Sequence, residues 1–278
     1  MKKFYLLLLV PFFVWGASSI TSGQDNYIKI CEDAQQAEMF KNFRRHPSIR
    51  NVIEGSSKLQ GRRNLKALQA MAQDYVKKLP TLETYERLGN PRRFTYCNGR
   101  LYSPCTIRYV KILADMRHRF KSFNDMDIIE IGGGYGGQCA IMAHFEKFKS
   151  YTLIDLPCVL GLARKFVDEL GVSNVHTIGV DELDQLETYD LIVSNYAFSE
   201  IDAQHQLVYL EKVIKNIPRG YMTMNFIGTR NNIQALPLEK IKELLTAAGH
   251  KVKVEVERPQ TNPRGKRNVL LTWGEELL

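Results

Sequence analysis

The 278-residue sequence lacks closely spaced cysteines, which argues against two common ways of stabilising a small domain. Its cysteines are Cys31, Cys97, Cys105, Cys139 and Cys158, an odd number with no Cys-x-x-Cys pair. Such a scattered set argues against a disulfide framework and against a structural zinc site. We expect Cys139 and Cys158, which begin predicted helices, to pack in the core.

The sequence also lacks internal repeats, low-complexity tracts and the signatures of nucleic-acid-binding modules. It has no zinc knuckle, no RNA-recognition signature and no aromatic–basic stripe, so we predict no nucleic-acid partner. The formal net charge is nevertheless +8, with basic pairs at Arg44-Arg45, Arg62-Arg63 and Arg92-Arg93 and a cluster from Arg264 to Arg267. We expect solvated surfaces for these groups; attraction of an anionic glycan, lipid or nucleic acid is the alternative.

No hydrophobic run is long enough for a comfortable membrane span. The longest, from Phe4 to Gly16, follows Met1-Lys2-Lys3 and precedes Ala17-Ser18-Ser19. A basic start, a short apolar run and small residues are typical of a secretory signal peptide, so residues 1–22 are predicted to be signal-peptide-like. An uncleaved anchor that contacts a membrane is an alternative. So is a misassigned start, which would leave the protein cytoplasmic.

The most informative feature that is present is a glycine-rich segment. Residues 127–137 read DIIEIGGGYGG: an apolar strand, an acid and a loop made almost wholly of glycine. Glycine allows close approach of a ligand and backbone conformations that side chains forbid. Because residues 138–145 have a helical pattern, the segment predicts a strand, a turn and a helix N-terminus, which together form a nucleotide-type binding corner.

Two cofactor classes fit this corner. Gly132, Gly134 and Gly137 match the Gly-x-Gly-x-x-Gly pattern of dinucleotide binding. Glu130 with Gly132, Gly134 and Gly136 matches acid-x-Gly-x-Gly-x-Gly, the first motif of class I S-adenosylmethionine (SAM) methyltransferases. A pyrophosphate is repelled by a neighbouring acid, whereas SAM has a sulfonium and an ammonium group. Glu130 therefore favours SAM.

The rest of the chain alternates between strands and helices. Predicted strands cover residues 150–154, 175–178, 189–195 and 221–226, and predicted helices cover 158–170, 204–217 and 238–248. In the N-terminal part, apolar residues on one face predict a helix from Asn64 to Leu79. Two last strands, 251–256 and 269–273, flank a loop without a helix-sized segment and therefore form an antiparallel hairpin. The pattern predicts an α/β fold with a largely parallel, Rossmann-like sheet of the class I methyltransferase kind, a C-terminal antiparallel hairpin and a mostly helical N-terminal extension.

Polar residues follow these strands where ligands of open α/β sheets bind. Asp155 ends the second strand and can accept hydrogen bonds from both ribose hydroxyls of an adenosine. Asp181 follows the third strand and could reach the adenine amine, although a plain loop acid is an equal alternative. Ser194 and Asn195 end the fourth strand.

Three segments resemble one family. The runs EIGGGYGGQ (130–138), LIDLP (153–157) and VSNYAFSE (193–200) are similar to those of sugar O-methyltransferases within the class I SAM-dependent methyltransferases, over roughly residues 85 to 275. The resemblance implies SAM bound by Glu130, Gly132, Gly134, Gly136, Asp155, Asp181 and Ser194. It also implies that residues 23–122 cap a cofactor domain of residues 123–278 and shape the acceptor pocket. Tyr102, Ser103 and Arg108 are pocket candidates by analogy, beside Asn195 and Tyr196.

Methyl transfer to a sugar hydroxyl needs a group that removes the hydroxyl proton. Glu200, Asp202 and His205 follow the fourth strand, where the acceptor would lie. Glu200 and His205 are the candidate bases, and histidine has the pKa best matched to neutral pH. All three could bind a metal, but the doubled aspartate pattern of magnesium-dependent sugar methyltransferases is absent, so no metal is predicted.

The sequence therefore predicts a SAM-dependent O-methyltransferase that acts on a hydroxyl of a sugar, a glycan or another hydroxylated small molecule. A nicotinamide-dependent oxidoreductase is one alternative, because it uses the same glycine loop. A non-catalytic secreted protein with a methyltransferase fold is another, because of the signal-like N-terminus.

Overall fold

The computed structural model describes residues 22–96, 99–226, 233–262 and 267–276. The predicted signal-like segment therefore lies outside the described residues apart from Ser22, as do Cys97 and most of the cluster from Arg264 to Arg267. In the part described, no helix has the length and apolar character needed to cross a membrane.

The N-terminal part is helical, as predicted. Its helices are α1 (Ser22–Asp33), α2 (Ala37–Phe40), α3 (Pro47–Val52), α4 (Lys58–Met71), α5 (Gln73–Lys78) and α6 (Glu83–Arg87). Short antiparallel strands β1 (Phe94–Thr95) and β2 (Leu101–Tyr102) lead into the long helix α7 (Pro104–Phe120). Ser57 and Gln60 form a capping box at the start of α4, which explains why this helix begins six residues before the predicted Asn64.

The remaining chain alternates strands and helices. The strands are β3 (Asp127–Ile131), β4 (Ser150–Asp155), β5 (Val175–Gly179), β6 (Leu191–Asn195), β7 (Arg219–Met224), β8 (Lys253–Val256) and β9 (Val269–Trp273). The helices are α8 (Gly137–Phe145), α9 (Pro157–Glu169), α10 (Ala203–Lys212) and α11 (Leu238–Ala247). They form one sheet in the order β5-β4-β3-β6-β7-β9-β8.

The pairing confirms the predicted fold class. Strands β3 to β7 run parallel, and β9 is antiparallel to both β7 and β8. The strand order reverses at β3, because β4 lies on one side of it and β6 on the other. In open α/β sheets ligands bind beyond the carboxyl ends of the strands at such a switch point. The glycine loop that follows β3 therefore lies at the expected crevice.

Both faces of the sheet are covered. On one face, Ile128 and Leu153 belong to an apolar core that also contains residues of α4, α7, α8 and α9. On the other, Ile129 and Ile192 pack with residues of α10 and α11. The N-terminal helices thus share a core with the sheet. The domain boundary at residues 122 and 123 stays a prediction.

One local expectation needs correction. The predicted helix from Asn64 to Leu79 is interrupted at Ala72, whose φ of −148° and ψ of 81° are not helical, and this leaves Met71 39% exposed. The two cysteines pack as expected: Cys139 is fully buried in the core, and Cys158, which is partly buried, packs against the same core.

Candidate active site

The loop after β3 adopts a backbone that requires glycine. Gly132, Gly134 and Gly136 have φ values of +73°, +55° and +79°, in the left-handed region that favours glycine. A Cβ atom on Gly132 would lie 2.0 Å from Cβ of Ala197, and one on Gly133 would lie 2.5 Å from Cδ2 of Leu153. The glycines therefore serve both conformation and close packing.

Glu130 is an acid buried beneath this loop. It is 2% exposed and accepts hydrogen bonds from the hydroxyl of Tyr151 at 2.9 Å and Nδ2 of Asn195 at 3.5 Å. Among the described side chains, no cation lies within ion-pair distance of it, and burial raises its pKa to about 8. Oδ1 of Asn195 is also buried and has no hydrogen-bond partner. The pair therefore offers acceptor oxygens to a cationic ligand.

Asp155 ends β4 and helps to shape the same loop. Its Oδ2 accepts from the backbone N–H of Gly134 at 3.0 Å, and its Oδ1 accepts from the N–H of Leu156 at 2.8 Å. Burial raises its pKa to about 6. Because a carboxylate oxygen can accept more than one hydrogen bond, Asp155 can hold the loop and still accept from hydroxyl groups of a ligand.

Asp181 is exposed beyond the end of β5. Its Oδ1 would lie 2.6 Å from a Cβ on Gly179, and Gly179 pairs with Asp155 across the strands. Asp155 thus ends β4, and Asp181 follows two residues after the end of the adjacent strand β5. Their roles towards ribose and adenine stay predictions.

Ser194 is fully buried, and its hydroxyl is engaged within the fold. It donates to the carbonyl of Ile131 at 3.2 Å and accepts from the N–H of Phe198 at 3.2 Å. These bonds join the carboxyl ends of β3 and β6. Its role in cofactor binding stays a prediction, and the structure gives its hydroxyl a positioning role.

Tyr196 follows β6 with an uncommon backbone conformation. Its φ is +74°, a value that costs a bulky residue free energy and is concentrated at functional sites. Its N–H donates to the carbonyl of Thr223, and its hydroxyl bonds to Glu257 and to Thr261. The sequence did not indicate Glu257 as a partner of this site.

The two candidate bases lie in separate clusters. Glu200 is partly buried, its Oε1 accepts from Nδ2 of Asn225 at 2.5 Å, and burial raises its pKa. His205 lies in the first turn of α10, where its Nδ1 is 2.5 Å from Oδ2 of Asp202, and both side chains are more than 40% exposed. The two candidate bases thus have different hydrogen-bond partners, Asn225 for Glu200 and Asp202 for His205.

Among the residues that the structure describes, metal ligands do not converge at this site. In the ranges that the structure describes, no group of three or more histidine, cysteine, aspartate or glutamate side chains is placed to hold an ion. Asp202 instead caps the N-terminus of α10 by accepting from the N–H groups of Gln204 and His205.

The N-terminal part contacts the glycine loop through Glu54, which bonds to Tyr135 of that loop. Its Oε1 accepts from Nε of Arg44 at 2.7 Å and from the hydroxyl of Tyr135 at 2.5 Å, and its Oε2 accepts from the hydroxyl of Ser103 at 3.0 Å. The neighbouring Ile53 contacts the loop, because its Cδ1 would lie 2.8 Å from a Cβ on Gly134.

The expectation that the basic pairs lie on solvated surfaces is wrong for Arg44, which is buried. Its side chain is 0% exposed, donates to the carbonyls of Tyr85 and Leu88, and stacks over the rings of Tyr85 and Tyr135. Burial is tolerated because Glu54 supplies an opposite charge and the aromatic rings interact favourably with a guanidinium.

The predicted pocket residues of the N-terminal part lie in different places. Ser103 is fully buried, where it caps α7 and donates to Glu54. Tyr102 is 7% exposed. Arg108 donates from Nη2 to the carbonyl of Ile53 at 3.3 Å and lies over the rings of Tyr109 and Tyr196. Of these three, only Arg108 contacts a predicted site residue at the carboxyl end of the sheet.

Comparison with known proteins gives resemblances in fold. No family model matches the sequence, and no curated protein matches it. A phosphoethanolamine N-methyltransferase 2 from Haemonchus contortus, solved with SAM, is 17% identical over 54% of this chain, with a TM-score of 0.44. The chain spans 39% of that protein's length.

Two further solved structures match a larger share of their own length. The methyltransferase domain of bacterial CtHen1 is 11% identical and has a TM-score of 0.46, with 60% of this chain and 96% of that chain covered. The YcgJ protein of Bacillus subtilis is 12% identical and has a TM-score of 0.45, with 60% and 98% covered. At these identities the likeness says nothing about the reaction or substrate of this chain.

Proposed function

We propose that this protein is a SAM-dependent O-methyltransferase that methylates a hydroxyl of a sugar or glycan. The observation that carries the proposal is the buried Glu130 beneath the glycine loop, without a cationic partner among the described side chains and beside the unpaired Oδ1 of Asn195. Such a site disfavours a pyrophosphate and suits a ligand with an ammonium and a sulfonium group. The nicotinamide alternative is therefore the weaker one.

The residues present fit the cofactor at three places. Glu130 and Asn195 would hold its cationic amino-acid end, Asp155 would accept from its ribose hydroxyls, and Asp181 would lie beside its adenine. When bound, SAM supplies a methyl group on a positively charged sulfur that leaves readily. The protein then has to orient the acceptor and exclude water.

For the proton of the acceptor hydroxyl we assign Oε2 of Glu200. Its Oε1 is engaged by Asn225, and burial raises the pKa of this carboxyl, which makes it a better proton acceptor than an exposed glutamate. His205, whose Nδ1 lies 2.5 Å from Oδ2 of Asp202, is the second candidate.

Cofactor binding tests the proposal directly through its dependence on pH. Burial raises the pKa of the Glu130 carboxyl to about 8, and only the ionised carboxyl pairs with a cation, so we expect SAM binding to weaken as the pH falls below 8. SAM affinity in the wild-type protein should rise by up to about tenfold per pH unit from about pH 6 and stop rising near pH 8, where the ammonium group of SAM itself begins to lose its proton. Isothermal titration calorimetry at a series of pH values measures this affinity.

The matched control is Glu130→Gln, which keeps the shape but cannot ionise. Its SAM affinity should be low and nearly independent of pH over the same range. Asp155 titrates nearer pH 6, so its contribution is complete before that of Glu130. Absence of binding of both SAM and S-adenosylhomocysteine to the wild-type protein at every pH would overturn the proposed function.

The assignment of the base makes a separate prediction. Glu200→Gln should lower the rate of methyl transfer about a hundredfold or more, with little change in SAM affinity, because it removes the proton acceptor and keeps the hydrogen bond with Asn225. Transfer of labelled methyl from SAM to a panel of sugars measures this. His205→Asn serves as the comparison, and a larger loss in that variant than in Glu200→Gln would transfer the role to His205.

A further inference from the structure

A polar cavity lies between the N-terminal helices and the C-terminal hairpin. Its volume is about 460 Å³, and it is lined by residues of α4 and α7, of strands β7, β8 and β9, and of the loop after β8. Thr223 accepts the backbone hydrogen bond of Tyr196, and Arg108, which lies over the Tyr196 ring, also lines the cavity. The cavity therefore adjoins the carboxyl end of β6, where the proposed methyl acceptor would react.

The charges that line the cavity are unevenly matched. The cavity is lined by four basic side chains and three acidic ones, so its lining has one net positive charge. The basic residues are Arg108, Lys111, Arg119 and Arg258, and the acidic residues are Asp115, Glu255 and Glu257. Asp115 pairs with Arg119 at 3.2 Å and with Lys111 at 3.7 Å, and Glu255 pairs with Arg119 at 2.8 Å.

Glu257 is satisfied by neutral donors rather than by a cation. It accepts from the hydroxyls of Tyr196 and Thr261, from the N–H of Thr261 and from Nδ2 of Asn268. The carboxylates of the cavity are thus each held by groups of the protein.

Two of these cations, Arg108 and Arg258, have no carboxylate partner in the described structure; Arg258 is exposed, whereas Arg108 is partly buried. Within the described residues, the buried Nε of Arg108 also has no hydrogen-bond partner. The contacts of its guanidinium group are with neutral groups, namely the carbonyl of Ile53 and the rings of Tyr109 and Tyr196. A buried guanidinium costs free energy unless it pairs with an anion, and its planar fork matches a carboxylate or a phosphate.

Lys111, one helical turn further along α7, is a second cation that an anion in the cavity would stabilise. It is 6% exposed, and burial holds the pKa of its ammonium below the ordinary value. Its partner Asp115 is shared with Arg119 and with the hydroxyl of Tyr221. An anion in the cavity would stabilise both cations.

We infer that the methyl acceptor is an acidic sugar whose anionic group, a carboxylate or a phosphate, binds Arg108 in this cavity. The inference rests on the proposed function and narrows its substrate class. The remaining polar lining, including Asn64 and Thr223, offers hydrogen bonds to ring hydroxyls.

The test titrates sugars into the full chain saturated with S-adenosylhomocysteine. Glucuronate and galacturonate form the carboxylate arm, glucose 6-phosphate and galactose 6-phosphate form the phosphate arm, and glucose and galactose are the neutral references. At least one acidic sugar should bind about tenfold or more tightly than its neutral counterpart, since charge-assisted hydrogen bonds are the stronger ones. The arm that shows the preference identifies the anion.

Arg108→Met should remove this preference, whereas Arg100→Met, which changes an exposed arginine outside the cavity, should keep it. Retained binding of S-adenosylhomocysteine checks that each variant is folded. Equal affinity for acidic and neutral sugars, or no binding of any of them, overturns the inference and leaves the cofactor result standing. Failure of S-adenosylhomocysteine to bind the wild-type protein would instead count against the proposed function.

Discussion

Replacing Gly132 by alanine should lower SAM affinity about a hundredfold or more. The substitution forces a side chain into a backbone with φ of +73° and brings its Cβ to 2.0 Å from that of Ala197. Strain of this kind costs about 1–3 kcal/mol, and overpacking costs a similar amount. Either the glycine loop or the turn after β6 must move, and both belong to the proposed cofactor site. Calorimetry with SAM measures the loss.

Two further variants separate the causes of this loss. Gly171→Ala has a similar φ of +66° but nothing within 4 Å of its new Cβ, so it should cost about 1 kcal/mol of stability and leave SAM affinity unchanged. Adding Ala197→Gly to Gly132→Ala should restore part of the affinity, because it removes the contacted methyl group. Wild-type affinity in Gly132→Ala alone would contradict the role of this loop.

Replacing Arg44 by methionine should lower the free energy of unfolding by about 3–5 kcal/mol. The variant leaves the carboxylate of Glu54 buried without a cation, although Tyr135 and Ser103 still donate to it. Arg44 also supports the burial of aromatic rings that surround it. Denaturant unfolding followed by circular dichroism measures the change.

The adjacent residue provides the control. Arg45 is exposed and donates only to the backbone carbonyl of Asn90 in the described structure, so Arg45→Met should change the stability by no more than about 0.5 kcal/mol. The double variant Arg44→Met with Glu54→Gln should recover part of the loss, because it removes the unpaired charge. Equal stabilities of Arg44→Met and Arg45→Met would refute the buried ion pair.

The sheet could be predicted because its strands have local signatures. Apolar runs such as residues 127–131 and 191–195 end in polar residues, and glycines mark the turns. The hairpin followed from the absence of a helix between residues 257 and 268. Glu130 and Asp155 were found for the same reason, since strand ends of an open sheet meet at one edge. Asn225, at the end of β7, could have been found by this rule as well.

The closure of the N-terminal part could not be predicted. Arg44 and Glu54 are ten residues apart, yet their pairing depends on Tyr135, which comes from the glycine loop, and on Ser103. No sequence period distinguishes Arg44, which is buried, from its exposed neighbour Arg45. Contacts of this kind are set by tertiary packing, which overrides the usual preference of arginine for the surface. The net charge of the cavity could not be predicted either, because tertiary packing brings its charged residues together from distant parts of the sequence.

The position of β9 has a consequence for the order in which the fold can form. β9 is the later strand of the hairpin in the sequence, yet it lies inside the sheet between β7 and β8. In the described structure β8 pairs only with β9, and the indole of Trp273 packs against Gly220 of β7. Until residues 269–273 leave the ribosome, β8 therefore has no partner and β7 has an open edge. Completion of the sheet must be a late step of folding, and a chain stopped before this strand would expose an edge prone to aggregation.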